Sequence, residues 1–554
     1  MAPPLSIKSD LLRPLASFGV VAQGAAVYYR ELRNSKDPII AAGAWCNLLD
    51  GRLVSPAMAD ELLPFCRFAA VRARAFRHFQ TMYEHESATR IANMGGASRE
   101  DAERAAMLAE LGGDAAAAAL AAGDLFLASG DLSHLETASQ KAEAVAGWRG
   151  ALEWALRPVV IAPLNPLPLQ RLYVVLESSG QADLLDEVAS IFLSRNLHLP
   201  IAQIFAATAA LTRGDAASCL AKLKPLDDAK VMANKALVPY LGHIRSLRAQ
   251  AEEKLKHYQA AYAGYLALNA ADRAADVNPE DFFRGIVARG RLAVPALPPE
   301  RRHDVVQMLG FPRSGTTLLE NALNAHPMIE TFEEISALNV AIDRIERAIM
   351  GKGNADLPAE AYLEARARYY SEIDLLRRKA GASLLIDKMP IRSADATFLG
   401  KLFPNWLYIF SIRHPYDVVL SCFKQRFLPN PAMENFRSID QAARAYDFTL
   451  TEWFKHHSMD DAKVHYVRYD DLVTDFEPAM RGVLGYLELD WNNSVLDFSK
   501  SAENRAAVTP SYHKVRQGLS IGVQTQWRNY RFAFESEATK PLKNWAEFFG
   551  YPTE

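Results

Sequence analysis

The sequence predicts two architectures in one chain, an all-α helical repeat domain followed by an α/β domain with a central parallel sheet. Three observations carry this expectation. Up to about Leu292, Ala and Leu recur with helical spacing and strand-like runs are few. Val294-Pro295-Ala296-Leu297-Pro298-Pro299 then breaks the pattern as a proline-rich linker. Beyond it, short apolar runs alternate with helical stretches, the pattern of parallel strands covered on both faces by helices. At 554 residues the chain is too long for one core. The expected divisions are residues 1–293 for the helical half, 294–303 for the linker and 304–554 for the α/β domain.

Internal repetition is clearest over residues 165–272 of the helical half. Gly180-Gln181-Ala182 and Gly214-Asp215-Ala216 stand 34 residues apart, each followed by an apolar residue five positions after the glycine. That period is the one of tetratricopeptide-like (TPR-like) helix pairs, in which each unit buries its apolar stripe against its neighbours. A third copy is expected at Lys256-His257-Tyr258, and an earlier, degenerate one at Gly130-Asp131-Leu132. Residues before about Glu100 are helical in pattern without a clear register.

Composition narrows the function classes. Half of the residues are hydrophobic and 23% are charged, which is globular rather than disordered. A formal net charge of −3 argues against a general nucleic-acid binder. Cys46, Cys66, Cys219 and Cys422 show no metal spacing and read as reduced thiols. MAPPLSIKSDLLRP has no apolar segment behind its charges, and no run is long enough to span a bilayer. The expectation is a cytoplasmic protein without a signal peptide, membrane insertion or nucleic-acid partner.

In the α/β half, Val305-Val306-Gln307-Met308-Leu309 reads as a strand, Gly310 to Thr317 as a tight loop, and Leu318 onward as a helix. Strand, glycine-containing loop and helix N-terminus form an anion site, because backbone N–H groups and the helix dipole converge there. The hydroxyls of Ser314, Thr316 and Thr317 add donors around Gly315, and phosphate is the expected ligand. The loop is P-loop-like but departs from G-x-x-x-x-G-K-[ST], since Thr316 stands where the lysine belongs. Arg313 instead places a permanently charged fork in the loop, suited to a terminal phosphate and a leaving oxygen. ATP-dependent phosphoryl transfer thereby loses a central part.

Further strands are expected at Leu384–Ile386, Leu407–Ile412 and Val464–Val467, with helices at Tyr362–Ala380 and Ser438–His456. Polar motifs end these strands, where ligands of such sheets lie. They are Asp387-Lys388, Ser411-Ile412-Arg413 with Ser421 in the following helix, and Arg468-Tyr469-Asp470-Asp471. Between the first strand and these come Ala325-His326-Pro327 and Glu333-Glu334. Neighbours on an extended segment point opposite ways, so only one of the two glutamates can face a substrate.

From Val305 to Tyr551 this set of motifs resembles the sulfotransferases that use 3′-phosphoadenosine 5′-phosphosulfate (PAPS), in particular the tyrosylprotein and the bacterial TPR-fused enzymes. The resemblance implies a sulfotransferase fold and transfer of sulfonate from PAPS to an acceptor hydroxyl, with 3′-phosphoadenosine 5′-phosphate (PAP) released. It implies that Arg313 to Thr317 hold the 5′-phosphosulfate, that Arg413 and Ser421 hold the 3′-phosphate, and that Tyr469 faces the nucleotide. Glu334 would take the acceptor proton and Lys388 would contact the transferring sulfonate. Asp470 or Asp471 is expected to cap a helix. Arg516, with Lys514 second, would close over the 3′-phosphate. Where the tyrosylprotein enzymes carry an arginine one turn after the serine, this chain has Gln425 with Arg426 beside it.

No metal is required by this account, since Arg and Lys supply the positive charge. His326 reads as structural, and Trp527 and Tyr530 as packing aromatics. A protein or peptide tyrosine is one expected acceptor, because helical repeats suit extended peptides. A glycan, lipid or small molecule, with the repeats used for homodimer assembly, is the alternative. A non-catalytic interaction protein with a nucleotide-binding domain is the reading of another class.

Overall fold

The computed structural model describes residues 8–17, 37–50, 68, 71, 72, 74–77, 99–111, 114–300, 302–351, 356–498 and 525–554. The chain divides into two compact units between His257 and Tyr258.

The first unit is helical. Its main elements are α1 (Ala115–Ser129), α2 (Ser133–Ile161), α3 (Pro168–Ser178), α4 (Ala182–Ser194), α5 (Leu199–Thr212), α6 (Ala216–Leu223) and α7 (Leu241–Lys254). The repetition in the sequence is a repetition of one turn. At Gly180 (φ 68°) and Gly214 (φ 91°) the backbone turns left-handed. The following N–H then reaches back across the turn, Gln181 to the Leu176 carbonyl at 3.1 Å and Asp215 to the Ala210 carbonyl at 2.9 Å. Lys256 (φ 64°) repeats this with a lysine, His257 donating to the Glu252 carbonyl at 2.9 Å. Leu172, Tyr173, Leu185, Phe192 and Phe205 are buried in the core between the helices. Tyr173 sits edge-on to Phe205 and Tyr240, its hydroxyl 3.0 Å from that of Thr208.

The second unit holds a five-stranded, wholly parallel sheet in the order β2-β3-β1-β4-β5. Its strands are β1 (Val305–Gly310), β2 (Ile329–Glu333), β3 (Leu384–Lys388), β4 (Leu407–Ile412) and β5 (Val464–Arg468). Four of them lie where the apolar runs predict. β2 does not, because Glu330, Thr331 and Glu333 break its apolar character, although all five of its residues are buried. The register pairs Glu333 with Lys388, Gly310 with Ser411 and Ile412 with Arg468, so every polar strand end falls on one edge. Helices include α8 (Tyr258–Ala271), α9 (Glu280–Gly290), α10 (Thr316–Ala325), α11 (Ala337–Gly351), α12 (Ala359–Leu376), α13 (Pro415–Lys424), α14 (Ile439–Phe454) and α15 (Tyr469–Thr474).

The proline-rich segment does not separate the units. α8 and α9 precede it yet belong to the sheet-containing unit. Asn269 of α8 donates to the Phe423 carbonyl at 2.9 Å, and Asp272 pairs with Arg426. On α9, Glu280 pairs with Arg444, Phe283 sits edge-on to Phe448, and Arg289 pairs with Asp395. Those contacts cannot be read from local pattern, whereas the prolines can. Among the described residues no helix is long and apolar enough to cross a membrane. Cys46, Cys219 and Cys422 are buried.

Candidate active site

The loop after β1 is shaped by one close approach. Gly315 (φ 105°) starts α10 as its N-cap, and a Cβ there would lie 2.3 Å from Cδ2 of Tyr469. Only glycine lets the loop pass the tyrosine ring in that conformation. With no side chain at the cap, α10 presents its first turn without a side-chain hydrogen bond. Thr316 and Thr317 line the cleft that opens beyond. Ser314 does not, being 2% exposed with its amide donated to the Phe311 carbonyl.

Arg313 (φ 73°) is a non-glycine residue in the left-handed region. Its Nε donates to Ser421 Oγ of α13 at 3.1 Å, and its carbonyl accepts from Arg413 Nη1 at 3.2 Å. The Arg413 guanidinium in turn lies 4.8 Å from the Tyr469 ring centre. Arg313, Arg413, Ser421 and Tyr469 are thus brought together at the ends of β1, β4 and β5. Burial holds Arg313 below its usual pKa, and the charge of Arg413 pushes the same way. An anion beside these two cations would relieve both effects.

On the other side of β1, Glu333 ends β2 and Lys388 ends β3. Lys388 Nζ donates to Glu333 Oε1 at 3.1 Å and to Glu334 Oε1 at 2.9 Å. The lysine side chain is 0% exposed, that of Glu333 3% and that of Glu334 37%. Glu334 therefore faces the cleft while Glu333 and Lys388 lie buried, and Lys388 is not on the cleft surface. Burial alone would lower the lysine, but Glu333, Glu334 and Glu320 outweigh it and hold its pKa above the usual value. Glu334 is left-handed (φ 49°), and its N–H donates to the Lys388 carbonyl at 2.8 Å.

The cleft has a volume of about 760 Å³. It is walled not only by residues after the linker but also by Asp281, Phe282 and Arg289 of α9. Asn339, Arg392, Asp395, Phe427 and Leu428 also line it without a motif to signal them, as does Arg426, which stands beside Gln425. Arg289 reaches Asp395 and Glu346, 106 and 57 residues away, whereas Arg392 pairs with Asp395 three residues on. Arg426 is held by Asp272.

One expectation fails on this geometry. Neither Asp470 nor Asp471 caps α15; Arg468 holds the N-cap position, no side chain caps it, and both aspartates lie in the first turn. Arg516 and Lys514 lie outside the described residues. The expected packing roles are found for Trp527, which stacks on Tyr416 and His414, and for Tyr530, which is fully buried. His326 is bound to the Asp490 carbonyl and the Met328 N–H. Among the described residues no group of three or more His, Cys, Asp or Glu could hold a metal ion.

Comparison with known proteins places this arrangement. Residues 306–493 match the model of the sulfotransferase family. The protein-tyrosine sulfotransferase 1 of Danio rerio is 29% identical over 195 residues, 34% of this chain and 54% of the relative. That of Homo sapiens is 27% identical over 237 residues, 39% of this chain and 61% of the relative. The chain thus spans little more than half of these curated relatives. The sulfotransferase domain of the Synechococcus PCC 7002 olefin synthase superposes with a TM-score of 0.33 at 21% identity, covering 46% of this chain and 98% of that one. Residues 306–493, in the sheet-containing unit, are thus similar to the sulfotransferase family.

Proposed function

We propose that this protein is a sulfotransferase that moves sulfonate from PAPS to an acceptor hydroxyl. The observation that carries the reading is the placement of Glu334, a cleft-facing carboxylate fixed at the edge of the anion loop by Lys388. The acceptor oxygen attacks sulfur while its proton passes to Glu334. An S–O bond forms to the acceptor as the S–O bond to the 5′-phosphate breaks, and the electron pair stays on the departing phosphate oxygen. Arg313 and the opening turn of α10 stabilise the charge that develops there. Lys388 contributes from beneath, by holding Glu334 and adding positive charge. Arg413 and Ser421 select the 3′-phosphate, and Tyr469 lies against the nucleotide.

The acceptor we propose is a tyrosine of a peptide or protein. The cleft sets Phe282 and Phe427 beside its arginines, and the relatives named above are protein-tyrosine sulfotransferases. The helix pairs of the first unit would present or assemble the substrate. The test is incubation with ³⁵S-labelled PAPS and a panel of tyrosine peptides, phenols, glycans and lipids, without added metal. Label on tyrosine supports the whole reading, and label only on a glycan or lipid replaces the acceptor. No transfer in the presence of a tightly bound donor favours the non-catalytic reading.

A further inference from the structure

We propose that α9, which lies outside the stretch shared with the sulfotransferase family, forms the acceptor-reading wall of the cleft, with Phe282 as a specificity-determining residue for a phenolic hydroxyl. The proposal rests on the sulfotransferase reading above. The family match begins at residue 306, whereas Phe282 and Arg289 both line the cleft. Seven residues apart, they share one face of α9, two turns from each other.

The helix is anchored along its length. At its start, the Pro279 carbonyl accepts from Asn435 Nδ2 at 3.1 Å, and Glu280 Oε2 pairs with Arg444 Nη2 at 3.0 Å. Phe283 packs edge-on against Phe448 with ring centres 5.0 Å apart. At its end, Lys401 Nζ donates to the Gly290 carbonyl at 2.8 Å. A wall held this firmly presents Phe282 in a fixed place, which discrimination by shape requires.

The Arg289 end of the wall lies on the acceptor side, and Phe282, at the other end, packs towards Phe448 and lines the same cleft. Arg289 Nε donates to Asp395 Oδ1 at 2.7 Å, and Arg392 Nη1 donates to Asp395 Oδ2 at 2.7 Å. Arg392 also reaches Asn339, at the start of the helix that follows Glu334. These groups follow β2 and β3, on the side of β1 that carries Glu334. Arg413 and Tyr469 follow β4 and β5, on the other side. Phe282 is half-buried, so part of its ring remains open to a ligand. Phe427 and the 86%-exposed Leu428 also line the cleft. An aromatic ring bearing the accepting hydroxyl fits apolar and aromatic neighbours of this kind.

The experiment compares the full-length parent with Phe282→Ala and Phe282→Leu, using 4-nitrophenol, a tyrosine-containing peptide and hexan-1-ol as acceptors and PAP affinity as the control. Phe282→Ala is expected to lower kcat/KM for both phenols about tenfold, chiefly through KM. PAP affinity should stay within about twofold of the parent, and turnover of hexan-1-ol should fall less than that of the phenols, so the aryl-to-alkyl ratio falls. If Phe282→Ala does not fold, Phe282→Leu keeps the bulk and should still lower the ratio. An unchanged ratio in a folded variant, or a parent that prefers hexan-1-ol, overturns the inference and leaves the sulfotransferase reading standing. A parent that turns over none of the three acceptors overturns the inference, and the sulfotransferase reading falls with it only if glycans and lipids are not labelled either.

Discussion

Glu334 and Lys388 hold each other through two bonds of opposite sense. The Glu334 N–H donates to the Lys388 carbonyl at 2.8 Å, and Lys388 Nζ donates to Glu334 Oε1 at 2.9 Å. Backbone and side chain are fixed together, so the carboxylate reaches the cleft without freedom to swing away. Glu333, its neighbour in sequence, shares the same ammonium but is buried.

Glu334→Gln should therefore lower kcat by at least about 100-fold, within the range of general-base contributions, and leave PAP affinity nearly unchanged. Glu333→Gln should act mainly on stability, because it disturbs a buried ion pair. Steady-state kinetics with calorimetric titration of PAP separates the two effects. Full activity in Glu334→Gln with loss in Glu333→Gln would move the base by one residue.

Donor selection should follow from the loop and its neighbours. PAP is expected to raise Tm without Mg²⁺, and ATP far less, since Thr316 replaces the phosphate-binding lysine. Arg413→Ala should weaken PAP binding by about 1.5–3 kcal/mol, the worth of a charge-assisted hydrogen bond. Thermal shift with PAP, PAPS and Mg²⁺-ATP checks both, and Mg²⁺-dependent binding of ATP as tight as that of PAP would overturn the first.

Stability should depend on pH through a buried group beside the site. Asp387 of β3 accepts from the Tyr369 hydroxyl at 2.9 Å, and that hydroxyl accepts from Gln307 Nε2 at 2.7 Å. Burial pushes the Asp387 carboxyl up to about 7, against the pull of the Tyr369 hydrogen bond, Lys388 and Arg392. The folded protein then keeps a proton that the unfolded chain releases near pH 4. The contribution of Asp387 to stability is full below about pH 4 and declines as pH rises towards 7. Asp387→Asn should lose less Tm than the parent between pH 5 and pH 8. Equal losses in the two proteins would show that Asp387 does not set the slope.

Removal of the first unit should be tolerated only at the right cut. A fragment from Tyr258 to Glu554 keeps α8 and α9 and should bind PAP with close to parental affinity. A fragment from Glu300 loses the Asp272–Arg426, Glu280–Arg444 and Arg289–Asp395 pairs and should fold poorly or bind more weakly. Circular dichroism and PAP titration of the two fragments decide it, and equal folding and affinity would show that the two helices are dispensable.

Much of the site was legible because it is local. The loop from Gly310 to Thr317 announces itself by the order of strand, glycine and helix, and β1, β3, β4 and β5 by their apolar runs. β2 was not legible, since its polar residues are buried by neighbours distant in sequence; Glu333 pairs with Lys388, for instance, 55 residues on. The cleft walls from α9, Asn339 and Arg392 depend on pairs formed only after folding. The proline-rich segment misled because proline marks a break in regular structure, not a break between cores.

The backbone at Arg313 (φ 73°) and Glu334 (φ 49°) has a consequence for any effort to make this protein hardier. A left-handed conformation at a residue with a side chain costs about 1–2 kcal/mol, which glycine avoids. At both positions the substitution that eases the chain also deletes a charged group that lines the cleft. A redesign ranked by thermal resistance alone would drift towards glycine at 313 and 334, and would arrive at a sturdier protein with no chemistry left in it.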